Sequence, residues 1–217
     1  MKLSICMLTH NRPELFERSI TSVINNITDI NYEILVNNDS MDIHEHYRDK
    51  ENVHYSYKTS DDISVLYKHL FDRSRGEFIY FLEDDDYLHR NFFSSLNFNY
   101  DINYMLYTSV DHITYYGLHE AIKRQKLNKQ LINVTSYKAF IDSFNDKYFQ
   151  LGQILFRKGC VQCFPTGNNI RNDYTLFSEC IDVDSTIKYI DRQLWVQTTD
   201  GKDNISFEEL NKDERFN

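Results

Sequence analysis

Residues 77–86 read EFIYFLEDDD, and this stretch decides the fold. The apolar run predicts a buried strand over Glu77–Leu82, because strands of a covered parallel sheet have continuous apolar sequences. Four carboxylates, Glu83–Asp86, follow at its end. In sheets of this kind, ligands bind beyond the carboxyl ends of the strands. The stretch therefore predicts an inner strand that ends at a functional edge of a parallel sheet.

Two earlier segments have the same arrangement. Leu3–Leu8 and Tyr32–Val36 are short apolar runs that predict two further buried strands. Polar clusters follow both runs, THNR at residues 9–12 and NNDSMD at residues 37–42. Because the carboxyl ends of parallel strands meet at one edge, we expect the three polar clusters to converge there.

Apolar residues at helical spacing separate these strands. A helix is predicted to begin at Pro13, and another to span Asp61–Ser74 with Gly76 as its C-cap. The other predicted elements are strands at Val53–Tyr57, Tyr104–Val110, Gln153–Arg157, Ile187–Ile190 and Leu194–Gln197, and helices at Thr135–Phe144 and Asn172–Ile181. This alternation predicts an α/β fold, with a mostly parallel central sheet and helices on both faces.

The composition is that of one globular domain. The chain has 217 residues, of which 41% are apolar and 26% charged, and its net charge is −9. The negative charge argues against a protein that binds nucleic acid non-specifically over its surface, because such binding needs a basic surface. We predict one domain over residues 1–217, of which residues 199–217 are a charged tail. Neither a membrane span nor a signal peptide is recognisable, which predicts a cytoplasmic protein.

The four cysteines are Cys6, Cys160, Cys163 and Cys180. Cys160-x-x-Cys163 has the spacing of half a zinc site or of a redox pair. A structural zinc usually has four ligands, and the sequence has no second Cys-x-x-Cys pair. We therefore predict reduced thiols that form no disulfide.

The acidic run Glu83–Asp86 predicts a metal site. Four adjacent carboxylates repel one another, and burying them is costly unless a cation is present. In an extended chain, Glu83 and Asp85 lie on the same side. Carboxylate oxygens suit Mg²⁺ and Mn²⁺, which commonly also bind substrate phosphates. The alternative is a solvated acidic loop without a metal.

Three segments together resemble the inverting glycosyltransferases of family 2, which have the GT-A fold. They are SICMLTHNRPEL at residues 4–15, YEILVNNDSMD at 32–42 and SRGEFIYFLEDDDYL at 74–88. QILFR at 153–157 and NDYTLF at 172–177 fit later motifs of that family. The resemblance covers roughly residues 3–198. It implies a nucleotide-sugar-binding half at residues 1–99 and an acceptor-binding half at residues 100–198.

The resemblance also implies roles for individual residues. Glu83 and Asp85 match the Asp-x-Asp motif that holds the metal, and Asp173 matches the catalytic base. The nucleotide sugar would contact Thr9, Asn11, Arg12, Asn38, Asp39, Glu83 and Asp84. Whether Asn38 or Asp39 matches the acid that reads the base depends on the alignment of one residue. The chain departs from the family at Glu83, which replaces Asp, and at Asn172, which replaces an acid.

The expected activity is a metal-dependent, inverting transfer of a sugar from a nucleotide sugar, a UDP-sugar above others, to a hydroxyl acceptor. The cofactor would be Mn²⁺ or Mg²⁺, and the acceptor a glycan or a cell-envelope precursor. The basic stretch Lys123–Lys129 leaves open a second acceptor, a hydroxymethylated base in DNA, for an enzyme that acts in phage-infected cells. The alternative of another class is a non-catalytic module that binds nucleotides or carbohydrates.

Overall fold

The first half of the chain alternates strands and helices, as predicted. In a computed structural model, its elements are β1 (Leu3–Thr9), α1 (Pro13–Ile24), β2 (Tyr32–Asn38), β3 (Val53–Ser56), α2 (Ile63–Arg73) and β4 (Phe78–Glu83). The structure describes residues 1–26, 28–40, 47–105, 133–143, 150–167, 172–192 and 194–196. Pro13 occupies the first turn of α1, and the Asp62 side chain caps α2 by accepting from the Ser64 N–H.

The second half has shorter elements. They are β5 (Tyr87–Leu88), α3 (Phe92–Ser95), β6 (Ile102–Met105), α4 (Tyr137–Ser143), β7 (Ile154–Arg157), α5 (Asn172–Thr175), β8 (Ile187–Ile190) and β9 (Trp195–Val196). The predicted helix over Asn172–Ile181 is wrong in one respect, because α5 widens into a π-helical turn at Leu176–Cys180. Residues 106–110 of a predicted strand, the basic stretch 123–129 and the tail 199–217 lie outside the described residues.

Across the described ranges, seven strands form one sheet in the order β3-β2-β1-β4-β7-β6-β8. The strand β1 runs parallel to both β2 and β4, whereas β7 runs antiparallel to both β4 and β6. The last strand, β8, is parallel to β6. The predicted mostly parallel sheet is therefore confirmed. The predicted strand at Leu194–Gln197 is not part of it, because β9 pairs with β5.

Both faces of the sheet are buried. Successive side chains along a strand point to opposite faces, and Phe81 belongs to one core cluster while its neighbour Tyr80 belongs to the other. The helix α2 contributes Leu70 to the first cluster, and α1 contributes Phe16 and Ile20 to the second. This arrangement confirms helices on both faces. None of the helices in the described ranges has the length and hydropathy needed to cross a bilayer.

Gly76 has a different role from the predicted C-cap. The helix α2 ends at Arg73, and its C-cap residue Ser74 is already extended, with φ −64° and ψ 138°. A Cβ atom at Gly76 would lie 2.4 Å from the backbone nitrogen of Ser4 and 2.7 Å from the carbonyl oxygen of Phe78. The residue is glycine because β1 passes directly over it.

Candidate active site

The three predicted polar clusters do meet at one edge of the sheet. In the strand register, Thr9 at the end of β1 pairs with Asn38 at the end of β2. Leu8 of β1 pairs with Glu83 at the end of β4. Three neighbouring parallel strands therefore deliver their polar ends to the same place, which is the edge where such sheets bind ligands.

The acidic loop after β4 brings three carboxylates together. One oxygen each from Glu83, Asp85 and Asp86 can lie within 4.8 Å of the others. The backbone of this loop is held by α1, because Ser19 Oγ donates to the Glu83 carbonyl at 3.1 Å and Arg18 donates to the Asp85 carbonyl. The predicted pair Glu83 and Asp85 is thus joined by Asp86, the last residue of the predicted acidic run, to which the motif match gives no role.

Burial and mutual repulsion make this loop electrostatically unfavourable on its own. Burial raises the pKa of Glu83 well above its usual range, and the neighbouring Asp86 and Asp85 carboxylates raise it further. Burial also raises the pKa of Asp84, although the Arg12 guanidinium opposes that shift. Arg12 Nη1 lies 3.1 Å from Asp84 Oδ1 and 3.4 Å from Asp85 Oδ2. A set of crowded oxygen donors of this kind fits a hard divalent cation.

Asp86 also links the acidic loop to Trp195, which lies near the end of the described residues. Its Oδ2 accepts a hydrogen bond of 2.8 Å from Trp195 Nε1, and both side chains are fully buried. Trp195 is therefore a core residue with its one polar atom directed at the acidic loop. Gly152 leaves room for the indole, since a Cβ atom there would lie 2.2 Å from the ring.

The ends of β1 and β2 are tied together by polar contacts. Asn11 has a positive φ of 51°, and its backbone N–H donates to Ser40 Oγ at 3.1 Å. The Asn38 side-chain oxygen accepts from the Ser40 hydroxyl at 2.7 Å, and His10 Nδ1 lies 2.7 Å from Asp39 Oδ1. Asn38 and Asp39 thus lie beside Asn11, where the resemblance places the nucleotide.

Asp173 lies at the first turn of α5. Its Oδ2 accepts a hydrogen bond of 3.2 Å from the Leu151 N–H, and burial raises the pKa of Asp173 to about 7. Its charge contributes to the raised pKa of Glu83, so the two carboxyl groups interact electrostatically. The predicted base therefore interacts electrostatically with the predicted ligand Glu83, although 90 positions separate the two in the sequence.

Tyr67 is a further residue near these carboxylates that the sequence analysis missed. Its ring packs edge-on against Phe81 at 5.3 Å. Burial raises the pKa of its hydroxyl well above the usual range, and the charges of Glu83 and Asp173 add to the effect. On sequence alone, a tyrosine at a helical spacing from apolar residues is indistinguishable from a core residue.

A mostly parallel sheet with an acidic cluster at the carboxyl end of an inner strand is the architecture of GT-A nucleotide-sugar enzymes. The chain belongs to glycosyl transferase family 2, because residues 4–161 match the model of that family. No curated protein sequence matches the chain significantly.

Solved structures show the same fold. Residues 1–349 of S. aureus TarS in complex with UDP-GlcNAc superpose with a TM-score of 0.70 at 19% identity, covering 95% of this chain and 61% of that one. The mannosyltransferase PcManGT of Pyrobaculum calidifontis, in complex with GDP-Man and Mn²⁺, gives 0.61 at 8% identity, covering 95% and 59%. The chain thus spans about three-fifths of the length of these neighbours.

Proposed function

We propose that this protein transfers a sugar from a UDP-sugar to a hydroxyl acceptor, with inversion at the sugar carbon and with a divalent cation. One observation carries the proposal. The carboxylates of Glu83, Asp85 and Asp86 cluster at the carboxyl edge of a family 2 sheet, and the Asp173 carboxyl group interacts with that cluster. The clustered carboxylates suit a cation that binds the diphosphate of a nucleotide sugar. The Asp173 carboxyl group suits a catalytic base.

The cation would be held by Glu83 and Asp85, and Mn²⁺ or Mg²⁺ fits their oxygen donors. When bound, it supplies positive charge that neutralises the departing diphosphate. Asp86 is committed through one oxygen to Trp195, so its role is to fix the loop. Arg12 holds Asp84 and Asp85 in place and brings a permanent positive charge to the same edge.

The nucleotide would lie over the ends of β1 and β2. Thr9, Asn11, Asn38 and Asp39 are close together there, and amide and carboxylate groups can read the polar edge of a base. The TarS complexes with UDP-GlcNAc and UDP support a uridine nucleotide. The mannosyltransferase complex with GDP-Man and Mn²⁺ supports the same use of a divalent cation.

Asp173 would remove the proton of the acceptor hydroxyl during attack. A pKa near 7 is suitable for a base at neutral pH, because the group is then partly ionised and still a good proton acceptor. The Leu151 N–H donates to one oxygen of this carboxylate and holds the group in place. Attack opposite the departing diphosphate inverts the sugar carbon. We propose a glycan or a cell-envelope precursor as the acceptor.

The proposal is tested by thermal unfolding with UDP, GDP and CDP, each with Mn²⁺ and with a chelator. Ligand at about 100 times its Kd adds roughly 2.7 kcal/mol to stability. We expect UDP to raise the Tm by several degrees with Mn²⁺ and much less with the chelator. No shift with any nucleotide, in a sample that unfolds cooperatively, would contradict the proposal.

Matched variants locate the binding site. Asp85→Asn removes one charge from the acidic cluster, and Asp72→Asn removes one from the exposed end of α2, where Asp72 pairs with Lys68. The Mn²⁺-dependent shift is expected to be lost in Asp85→Asn and kept in Asp72→Asn. Equal loss in both would show that general charge, rather than this loop, binds the metal and nucleotide.

Release of UDP from UDP-sugars, with and without glycan acceptors, then distinguishes a transferase from a binding module. A transferase releases UDP faster when the correct acceptor is present, and the product has the inverted configuration by NMR. A protein that binds UDP with Mn²⁺ and never releases it from any UDP-sugar would be a binding module.

A further inference from the structure

A short helical turn at the start of β7 holds the proposed base. The turn spans Leu151–Gln153, and all three of its residues are buried. Because β7 runs antiparallel to both β4 and β6, its start lies at the carboxyl edge of those two strands. There the Leu151 N–H donates to Asp173 Oδ2 at 3.2 Å. The position of the Asp173 carboxyl group therefore depends on how firmly this turn, the Leu151 turn, is fixed.

The side chain of Gln153 closes the Leu151 turn. The Gln153 backbone N–H donates to the Gln150 carbonyl at 3.0 Å, and the Gln153 side-chain Oε1 accepts from the Gln150 N–H at 3.2 Å. The two residues are thus bonded to each other in both directions across the turn. Gln153 is 1% exposed. A buried amide side chain is costly unless it is hydrogen-bonded, so these partners fix its orientation.

Two tyrosines of the central sheet anchor the same turn. Gln153 Nε2 donates to the Tyr104 hydroxyl at 2.9 Å, and the Tyr80 hydroxyl donates to the Gly152 carbonyl at 2.8 Å. Tyr104 lies on β6 and Tyr80 on β4, and both rings are buried. Hydrogen bonds in such surroundings are stronger than in water, and losing one partner is costly. The turn is therefore tied to two strands of the sheet.

The turn also packs against the support of the acidic loop. A Cβ atom on Gly152 would lie 2.2 Å from the Trp195 ring, so the indole lies directly on the turn. Trp195 Nε1 in turn donates to Asp86 at 2.8 Å. One buried turn thus contacts the support of the acidic cluster through Gly152 and bonds to Asp173 through Leu151.

We propose that Gln153 is a positioning residue for Asp173, and that its hydrogen bond to Tyr104 fixes the turn that presents the Leu151 N–H. Gln153 acts through that N–H rather than on the reacting atoms. This inference rests on the proposed role of Asp173 as the base. The Leu151 N–H favours the ionised carboxylate, so it lowers the pKa of Asp173 against the effect of burial. A loosened turn weakens that hydrogen bond, and the base then loses its proton at higher pH.

Gln153→Met and Tyr104→Phe test the two ends of this connection. Methionine has nearly the volume of glutamine without its amide, and phenylalanine lacks only the hydroxyl. In both variants we expect kcat at pH 7 to fall about tenfold, which corresponds to the loss of one hydrogen bond to an ionised group. The KM for the nucleotide sugar should change little. The profile of kcat against pH should shift towards higher pH by up to about one pH unit.

Asn103→Ala is the matched control. Asn103 is fully buried on β6 next to Tyr104, and its side chain bonds to the backbone N–H and carbonyl of Asn97. The change removes buried hydrogen bonds from the same strand and leaves those of the Leu151 turn in place. The Tm should fall, whereas kcat and its pH profile should stay as in the wild type. The same outcome in Gln153→Met and Tyr104→Phe would overturn the proposal.

Titration of the Asp173 carboxyl group by ¹³C NMR distinguishes this proposal from the proposed function, because it needs no substrate. We expect the pKa of Asp173 to be higher in Gln153→Met and Tyr104→Phe than in the wild type, and unchanged in Asn103→Ala. An equal pKa of Asp173 in all four proteins would contradict the positioning role. Absence of turnover in the wild type would instead contradict the transferase and leave the NMR comparison as the test of positioning.

Discussion

At the scale of single residues, burial of Asp173 favours its protonated form, whereas catalysis as a base requires the ionised form. Burial raises its pKa to about 7, above the value of ~3.9 expected in the unfolded chain. Ionisation of Asp173 therefore destabilises the folded protein increasingly as the pH rises from about 4 to about 7. An active site often retains such a conflict because function needs the charge.

Asp173→Asn is expected to separate these two effects. Asparagine keeps an oxygen to accept from the Leu151 N–H but cannot take a proton, so turnover should fall at least ~100-fold while UDP binding persists. At pH 8 the variant should be more stable than the wild type, on the order of 1–2 kcal/mol, and at pH 4 the difference should vanish. Steady-state kinetics measure the turnover, and denaturant unfolding at pH 4 and pH 8 measures the stability.

Asp142→Asn is the control for Asp173→Asn, since Asp142 is exposed on α4 and pairs with Lys138. It should change neither turnover nor stability noticeably. Wild-type turnover should rise with pH and level off above about 7, as the base loses its proton. Unchanged turnover in Asp173→Asn would mean that another group is the base.

Trp195→Phe tests how Asp86 is stabilised. The change removes the indole N–H and leaves the buried Asp86 carboxylate without that donor, which should cost about 1–3 kcal/mol. The cost should be smaller in an Asp86→Asn background, because a neutral amide is less expensive to leave without a partner. A double-mutant cycle by urea unfolding measures the difference. An unchanged cost in both backgrounds would show that Trp195 stabilises by packing alone.

At the scale of elements, the sequence predicts strands and helices well where their apolar pattern is long. The ends of β1, β2 and β4 were placed within two residues, and their acidic and polar clusters converge as expected. Asp86 and Tyr67 were given no individual role in the site because their roles depend on partners far away in the chain. The π-helical turn at Leu176–Cys180 was missed because short helices are set by tertiary packing more than by local pattern.

The position of Gly76 between α2 and β4 gives a prediction at this scale. Gly76→Ala would place a Cβ atom 2.4 Å from the Ser4 backbone nitrogen, so β1 or β4 must shift. We expect the free energy of unfolding, measured with urea, to fall by more than about 2 kcal/mol. Gly159→Ala is the matched control, because its Cβ atom would meet no atom within 4 Å. Equal effects of the two changes would contradict the proposed close approach of β1.

At the scale of the whole molecule, the pKa values of carboxyl groups are shifted in opposite directions at the two edges of the sheet. At the edge where the parallel strands begin, Glu33 is fully buried. Although burial opposes ionisation there, hydrogen bonds from Ser4 and Arg75 hold the pKa of Glu33 below its usual range. At the carboxyl edge, burial raises the pKa of Glu83 and Asp173. The edge with Glu33 is therefore stable when that carboxylate is ionised. The carboxyl edge needs a bound cation or protons to neutralise its carboxylates.

The stability of the cation-free protein should therefore depend on pH in a defined way. The contribution of Glu33 is present above its unfolded pKa of ~4.3 and is lost as the pH falls through its lower folded value. The cost of ionising Asp173 grows as the pH rises from about 4 to about 7. With a chelator, we expect the Tm to be highest near about pH 5 and to fall towards pH 8.

Addition of Mn²⁺ and UDP should change this profile mainly at its alkaline side. A bound cation lowers the cost of ionised Glu83 and Asp85, so the Tm should rise most at pH 7–8 and least near pH 5, where protons compete with the metal. Differential scanning calorimetry across this range, with Asp85→Asn as control, measures the effect. A Tm increase of the same size at every pH, or an increase that Asp85→Asn retains, would place the cation elsewhere than at the end of β4.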